Sequence, residues 1–184
     1  PMSENPDFRK ELISIIPSLR AFAASLAGNF DRADDLVQET LVKAWDKQHT
    51  FQPGTNLKAW LFTILRNEFY TQMRKKGREV QDVDGIHAMQ LAGHPEQQGH
   101  LDLQDFRKAL DLLPDDQREA LVLIGASGFS YEEAAEICKC AVGTIKSRVS
   151  RARTRLAETL GIEGDGEYGP DSISSQIIGV APAA

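Results

Sequence analysis

The stretch from Gly77 to His100 divides the chain. On either side apolar residues recur at helical spacing; within it no period is sustained, and Gly77, Gly85, Gly93, Pro95 and Gly99 interrupt any regular element. No strand pattern competes anywhere, and no internal repeat is visible. The expectation is therefore all-α: two small helical domains, 7–76 and 101–160, joined by a flexible acidic linker at 77–100. Residues 161–184, rich in Gly, Ser, Pro and Ala, read as a disordered tail.

In the first half, Asp7–Ala27 reads as a helix with a kink or break at Pro17, whose nitrogen cannot donate. Asp31 is placed to cap a second helix to about Lys47, with Leu36, Val37, Leu41, Ala44 and Trp45 as its apolar stripe. Pro53-Gly54 signals a turn, and Asn56 caps a third helix to about Lys76. Leu57, Trp60, Leu61, Ile64 and Leu65 form its core stripe, but Phe62, Phe69 and Met73 lie on other sides. A helix apolar nearly all round needs more than one neighbour to bury it. The second half reads as helices at Leu101–Leu112, Asp115–Ala126, Ser130–Cys138 and Val142–Leu160.

Taken as a sum, the charge argues against a nucleic-acid partner: 21 Lys and Arg against 27 Asp and Glu, a net -6. Its distribution argues otherwise. Residues 56–78 hold six bases against Glu68 alone, and residues 142–160 hold five against Glu158 alone. Residues 79–105 and the tail from Gly161 hold six and four acids and no Lys or Arg. With screening over about 8 Å at physiological salt, a local basic patch matters more to a bound polyanion than the distant sum. No apolar run approaches the roughly 18 residues of a membrane span, and no leader-like segment suggests export. A soluble chain with no membrane association, monomeric when free, is expected.

Ser130-Tyr-Glu-Glu133 is a capping box that opens a helix carrying Ala134, Ala135 and Ile137. A short Lys139–Ala141 turn leads into a long basic helix. There Ile145, Val149, Ala152 and Leu156 share one face, while Ser147, Ser150, Arg151 and Thr154 lie opposite, flanked by Lys146, Arg148, Arg153 and Arg155. Short hydroxyls and an arginine at the front, with bases on both flanks, suit a helix lying in a major groove. Arg151 has the chemistry to pair with guanine, and the flanking bases to hold phosphates.

Four segments together resemble one family. Asp31-Arg-Ala-Asp-Asp-Leu-Val-Gln-Glu-Thr-Leu-Val-Lys-Ala-Trp45 and Asn56-Leu-Lys-Ala-Trp-Leu-Phe-Thr-Ile-Leu-Arg-Asn67 look like conserved region 2 of the extracytoplasmic-function (ECF, group 4) sigma factors of the sigma-70 family. Leu113-Pro-Asp-Asp-Gln-Arg-Glu-Ala120 and Ala141-Val-Gly-Thr-Ile-Lys-Ser-Arg-Val-Ser-Arg-Ala-Arg153 look like region 4. The opening Ile15–Gly28 further resembles the alphaproteobacterial general-stress-response (EcfG-like) class.

The resemblance implies a sigma factor that binds core RNA polymerase and directs promoter-specific initiation in the cytoplasm, restrained by a NepR-like anti-sigma factor. Asp35, Gln38 and Glu39 match the polymerase-binding motif; their spacing puts them on one helix face, expected to point away from Trp45 and Leu41. The His49–Thr55 loop and the helix after it match the element that opens the promoter −10 region. On that helix Asn56, Lys58, Thr63, Asn67, Tyr70, Arg74 and Lys75 are the implied contacts. Holding bases out of the stack calls for polar groups and an aromatic beside a basic groove. Trp60 and Phe62 read as core. Thr144, Lys146, Ser147, Arg148, Ser150, Arg151 and Arg153 match positions that read the −35 element. The tether is similar to the segment that family members thread toward the active-site cleft, though a solvated linker explains its acidity equally well.

Two departures from the family stand out. Lys139 sits where Gly is usual in the turn, and a non-glycine residue at positive φ costs about 1 kcal/mol. Cys138 replaces a large aliphatic residue. Cys138 and Cys140 are too close for an ordinary disulfide and have no histidine at ligand spacing, so they read as buried thiols in a reducing cytoplasm. No cofactor, metal or catalytic constellation is indicated, and the chain reads as a non-enzyme. A sigma-like decoy that binds the regulator but not DNA is the alternative. It would be expected to have lost the bases at Lys146, Arg148, Arg151 and Arg153. A free-standing helix-turn-helix repressor leaves the Asp31–Trp45 and Asn56–Asn67 motifs unused.

Overall fold

A computed structural model describes residues 6–81 and 103–162. Among them are seven α-helices, one short 3-10 turn and no strand: α1 (Pro6–Ala27), α2 (Phe30–Asp46), the turn (Gln48–Thr50), α3 (Leu57–Gln81), α4 (Leu103–Asp111), α5 (Asp115–Gly125), α6 (Tyr131–Cys138) and α7 (Val142–Leu160). Most of the expected linker, and the tail beyond Ile162, lie outside the described residues.

Local chemistry departs from expectation in three places. First, α1 runs unbroken through Pro17. The proline ring is exposed, and Ile15, Leu19 and Phe22 are buried on either side of it, so burial of the stripe outweighs the one lost backbone hydrogen bond. Second, Asn29 rather than Asp31 caps α2. Its Oδ1 accepts the Arg32 N–H at 2.8 Å, while Asp31 lies in the first turn, where its charge favours the helix dipole. Third, α3 continues five residues past Lys76, through Gly77 to Gln81. A single exposed helical glycine costs about 1 kcal/mol, too little to stop a helix that resumes with Arg78 and Glu79. Asn56 does cap α3, its Oδ1 accepting the Ala59 N–H at 3.1 Å.

Helices α1, α2 and α3 form one bundle, and α5, α6 and α7 a second, with α4 against α7. Arg118 ties the turn that joins α4 to α5: its Nη1 donates to the carbonyls of Asp111 and Leu113, and its Nη2 to Asp115. The two bundles do not stand apart. Helix α1 packs on α5 and α3 packs on α6, and one buried cluster runs from Phe8 in α1 to Val149 in α7.

Three aromatic rings cross that junction. Phe22 of α1 stacks on Phe62 of α3 at 4.7 Å between centroids, and Phe62 meets Phe129, just before α6, edge to face at 4.9 Å. Phe62 is fully buried. The all-round apolarity of α3 is thereby explained: α1 and α2 cover one side, α6 another. Replacing Phe62 with alanine leaves a cavity at the meeting point of both bundles. It is expected to cost about 3–5 kcal/mol of unfolding free energy, measurable by urea titration.

Candidate nucleic-acid interface

The basic helix α7 is positioned by the elements before it. Ser130 Oγ accepts the Glu133 N–H at 3.1 Å and Glu133 Oε2 accepts the Ser130 N–H at 2.9 Å, closing the capping box. That backbone N–H holds the Glu133 carboxyl below the usual carboxylate range. Lys139 ends α6 at φ 55°, the left-handed conformation, and the Cys140 N–H returns to the Ala135 carbonyl at 3.0 Å. The turn therefore forms with lysine where glycine is easier.

Ile145, Val149, Ala152 and Leu156 are buried, as their spacing requires. Lys146, Ser150 and Arg151 are exposed on the outside, with Thr154 and Arg155 continuing the strip. Thr144, Ser147, Arg148 and Arg153 are half-buried. Ser147 donates to the Thr144 carbonyl at 3.0 Å. Arg148 is drawn back into its own bundle, with Nε 3.5 Å from Asp116 Oδ2 and Nη1 4.0 Å from Cys140 Sγ. Of the seven residues singled out on α7, Lys146, Ser150 and Arg151 thus face outward most fully.

On α2, Asp35, Gln38 and Glu39 are all exposed on one face. Glu39 sits over a small polar cluster in which Gln72 Nε2 donates to Glu39 Oε2 at 2.9 Å and to Glu68 Oε1 at 3.1 Å, while Lys43 pairs with Glu68. Proximity to Glu68 raises the Glu39 carboxyl. Burial would raise Glu68 too, but hydrogen bonds from Lys43, Glu39 and Gln72 hold it below its ordinary value. Trp45 was expected on the core side; instead it is about one-third exposed, and Val42 more so. Counting from Gln38, Val42 and Trp45 fall at i+4 and i+7, so they extend the polar face rather than oppose it. That spacing was present in the sequence and was assigned to the wrong side.

On α3, Asn67, Arg74 and Lys75 are exposed, and Lys58, Thr63 and Tyr70 half-buried. Thr63 donates to the Ala59 carbonyl at 2.9 Å and Arg74 to Thr71 Oγ1 at 3.3 Å. The second bundle takes the others. Asn56 Nδ2 donates to Glu133 Oε1 at 3.0 Å, Lys58 Nζ to the Ser127 carbonyl at 2.6 Å, and Tyr70 Oη to Glu119 Oε2 at 3.0 Å. Lys58 also lies 5.3 Å from the centre of the Phe129 ring.

Glu119 has no exposed surface and pairs with Arg66 of α3 through Nε. The Arg66 guanidinium lies 4.6 Å from the centre of the Tyr70 ring. Burial alone would lower the arginine, but the Glu119 charge raises it above its ordinary value. Burial and the same carboxylate push the Tyr70 phenol strongly upward. Neither Glu119 nor Arg66 was singled out from the sequence; one acid among the polar residues that open α5 gave no sign of a partner 53 positions away.

Residues 14–79 match Sigma-70 region 2, and residues 103–156 match Sigma-70 region 4. The ECF RNA polymerase sigma factor EcfG of Rhodopseudomonas palustris is 59% identical over 171 residues, 93% of this chain and 94% of that protein. The chain belongs to the ECF sigma factors. Sigma factors are non-enzymatic initiation factors that bind core RNA polymerase and promoter DNA. Among solved structures, the sigma factor RpoE of Bartonella quintana, in complex with its anti-sigma factor NepR, is 66% identical at a TM-score of 0.78, covering 86% of this chain and 99% of that one. CnrH in complex with the cytosolic domain of CnrY is 26% identical at a TM-score of 0.61, covering 88% and 93%.

Two expectations follow for this sigma factor. Lys139→Gly relieves the left-handed lysine and should stabilise the chain by up to about 1 kcal/mol, read as a raised midpoint in urea. Both cysteines are free, Cys138 buried and Cys140 half-buried. Burial and Glu119 push the Cys138 thiol up to about 12. At pH 8 roughly one Cys138 in ten thousand is therefore a thiolate. Iodoacetamide should label Cys140 first, and Cys138 only as pH rises far above 8 or the chain unfolds, as followed by mass spectrometry.

Proposed function

We propose that this sigma factor acts in the cytoplasm in a general stress response, engaging core RNA polymerase and the two elements of promoter DNA through three separate surfaces. Core RNA polymerase is held by the α2 face of Asp35, Gln38 and Glu39, widened by Val42 and Trp45. Partly acidic groups beside exposed apolar ones suit a basic surface with an apolar rim. The −35 element is read by α7 through Lys146, Ser150 and Arg151, with Thr144, Ser147, Arg148 and Arg153 supporting or holding phosphate. The −10 element is held by α3 through Asn56, Lys58, Thr63, Asn67, Tyr70, Arg74 and Lys75. A NepR-like anti-sigma factor restrains it, in line with the Bartonella complex.

The single observation that carries the reading is the outward strip Lys146–Ser150–Arg151, presented by a capped helix-turn-helix. It also speaks against the decoy, which has no need of it. Promoter-directed transcription in vitro with core polymerase is the test. Arg151→Ala should weaken −35-dependent transcription about ten-fold or more, as expected for loss of a base contact, while leaving polymerase binding intact. Asp35→Ala should weaken polymerase binding while leaving α7 able to bind −35 duplex. A protein that binds a NepR-type regulator but yields no specific transcript would be the decoy instead.

A further inference from the structure

Of the three α2 residues assigned to core polymerase, Glu39 is the one that, among the described residues, hydrogen-bonds a side chain of another helix. Glu39 and Lys43 stand one turn apart on α2, Glu68 and Gln72 one turn apart on α3, and the four side chains meet across the helix pair. Lys43 pairs with Oε2 of Glu68, while the Gln72 amide donates to Glu68 Oε1 at 3.1 Å and to Glu39 Oε2 at 2.9 Å. Two carboxylates thus share one ammonium. Glu68 is buried, so its charge must be answered on the spot, and Lys43 answers it. Glu39 is exposed, and what holds it is a neutral amide. The neighbouring Glu68 carboxylate raises the Glu39 carboxyl, as expected where a second acid crowds a single base.

We propose that Gln72 is a positioning residue for polymerase binding: it fixes Glu39 by Oε2 and leaves Oε1 and the negative charge to be met by a basic side chain of the polymerase. This role rests on the assignment of the α2 face to core polymerase. The chemistry of the residue suits it. A glutamate on an open helix face samples several rotamers, and ordering it at the moment of binding costs affinity; a bond already made in the free chain removes that cost. An apolar residue at position 72 could not hold the carboxylate, and an acid would repel it. A lysine there would hold it but cancel its charge in advance. The amide is the donor that restrains Glu39 and leaves it charged. Gln72 touches no polymerase in this account; it acts through Glu39.

The test is a double-mutant cycle on the full chain, with binding to core polymerase read by fluorescence anisotropy and folding checked by circular dichroism and urea titration. Glu39→Ala should weaken binding about ten-fold. Gln72→Leu, close to the same volume without the donor, should weaken it about five-fold when Glu39 is present and change nothing in the Glu39→Ala background. Gln72→Lys keeps a donor for both carboxylates and so keeps the fold, yet should also weaken binding, which a purely structural role for Gln72 would not produce. Should Gln72→Leu reduce the affinity equally in both backgrounds, Gln72 acts independently of Glu39 and the positioning role is overturned. Wild-type affinity in either folded Gln72 variant overturns it as well, and a loss in Glu39→Ala then leaves the polymerase assignment of the α2 face standing. Wild-type affinity in Glu39→Ala refutes the assignment at Glu39 and the role of Gln72 with it.

Discussion

A carboxylate with no contact to water must have its charge answered where it sits, and in this protein Glu119 of α5 is answered by groups from the other bundle. Arg66 supplies the counter-charge and Tyr70 the second hydrogen bond. Neither bundle can keep this arrangement alone. Pulled apart, each would hold an unmatched polar group on a surface otherwise lined by Phe62, Phe129 and their neighbours. The aromatic ladder supplies area but little direction; the ion pair and its hydrogen bonds fix how the two bundles are turned toward each other.

The surfaces assigned to outside partners differ in how committed they already are within the chain. The outer strip of α7 points at solvent, and the α2 face is exposed although Glu39 leans on Gln72 and Glu68. The α3 strip is divided: Asn67, Arg74 and Lys75 are open, whereas Asn56, Lys58 and Tyr70 are engaged with the second bundle. A net charge of -6 then takes on meaning through its placement. Acidic groups of the second bundle lie against the basic helix of the first, so the chain's own acids meet its bases.

Much of this was legible in advance where a local rule had one outcome. The capping box at Ser130–Glu133, the inward face of α7 and the cap at Asn56 were all decided within a few residues of chain, and the left-handed turn at Lys139 was implied by the glycine usual there in the family. The errors came where two local rules competed. Asp31 and Asn29 are both competent caps, and the choice depended on α1 ending at Ala27, with Gly28 at φ 77° just before Asn29. Pro17 could have broken α1, but burial on both sides of it prevailed. Trp45 looked like core because it continues the helical spacing of Val37 and Leu41, although its distance from Gln38 put it on the exposed face.

What the sequence by itself determined is the set of helices, the caps at Asn56 and Ser130, the helix-turn-helix with its basic outer strip, and the resemblance to a family carried by four motifs. The helices, the caps and the basic strip follow from spacing, propensity and charge over stretches of about twenty residues or fewer; the family rests on the resemblance of the motifs. Only the tertiary structure decided that Phe62 is covered by Phe129, that Glu119 belongs to Arg66, and that Asn56, Lys58 and Tyr70 spend their hydrogen bonds within the chain. The reason is physical. An all-round apolar α3 states that a second neighbour must exist, but burial free energy depends on area rather than identity. Which helix arrives is settled by the few buried polar groups that must find partners, and those partners lie tens of residues away.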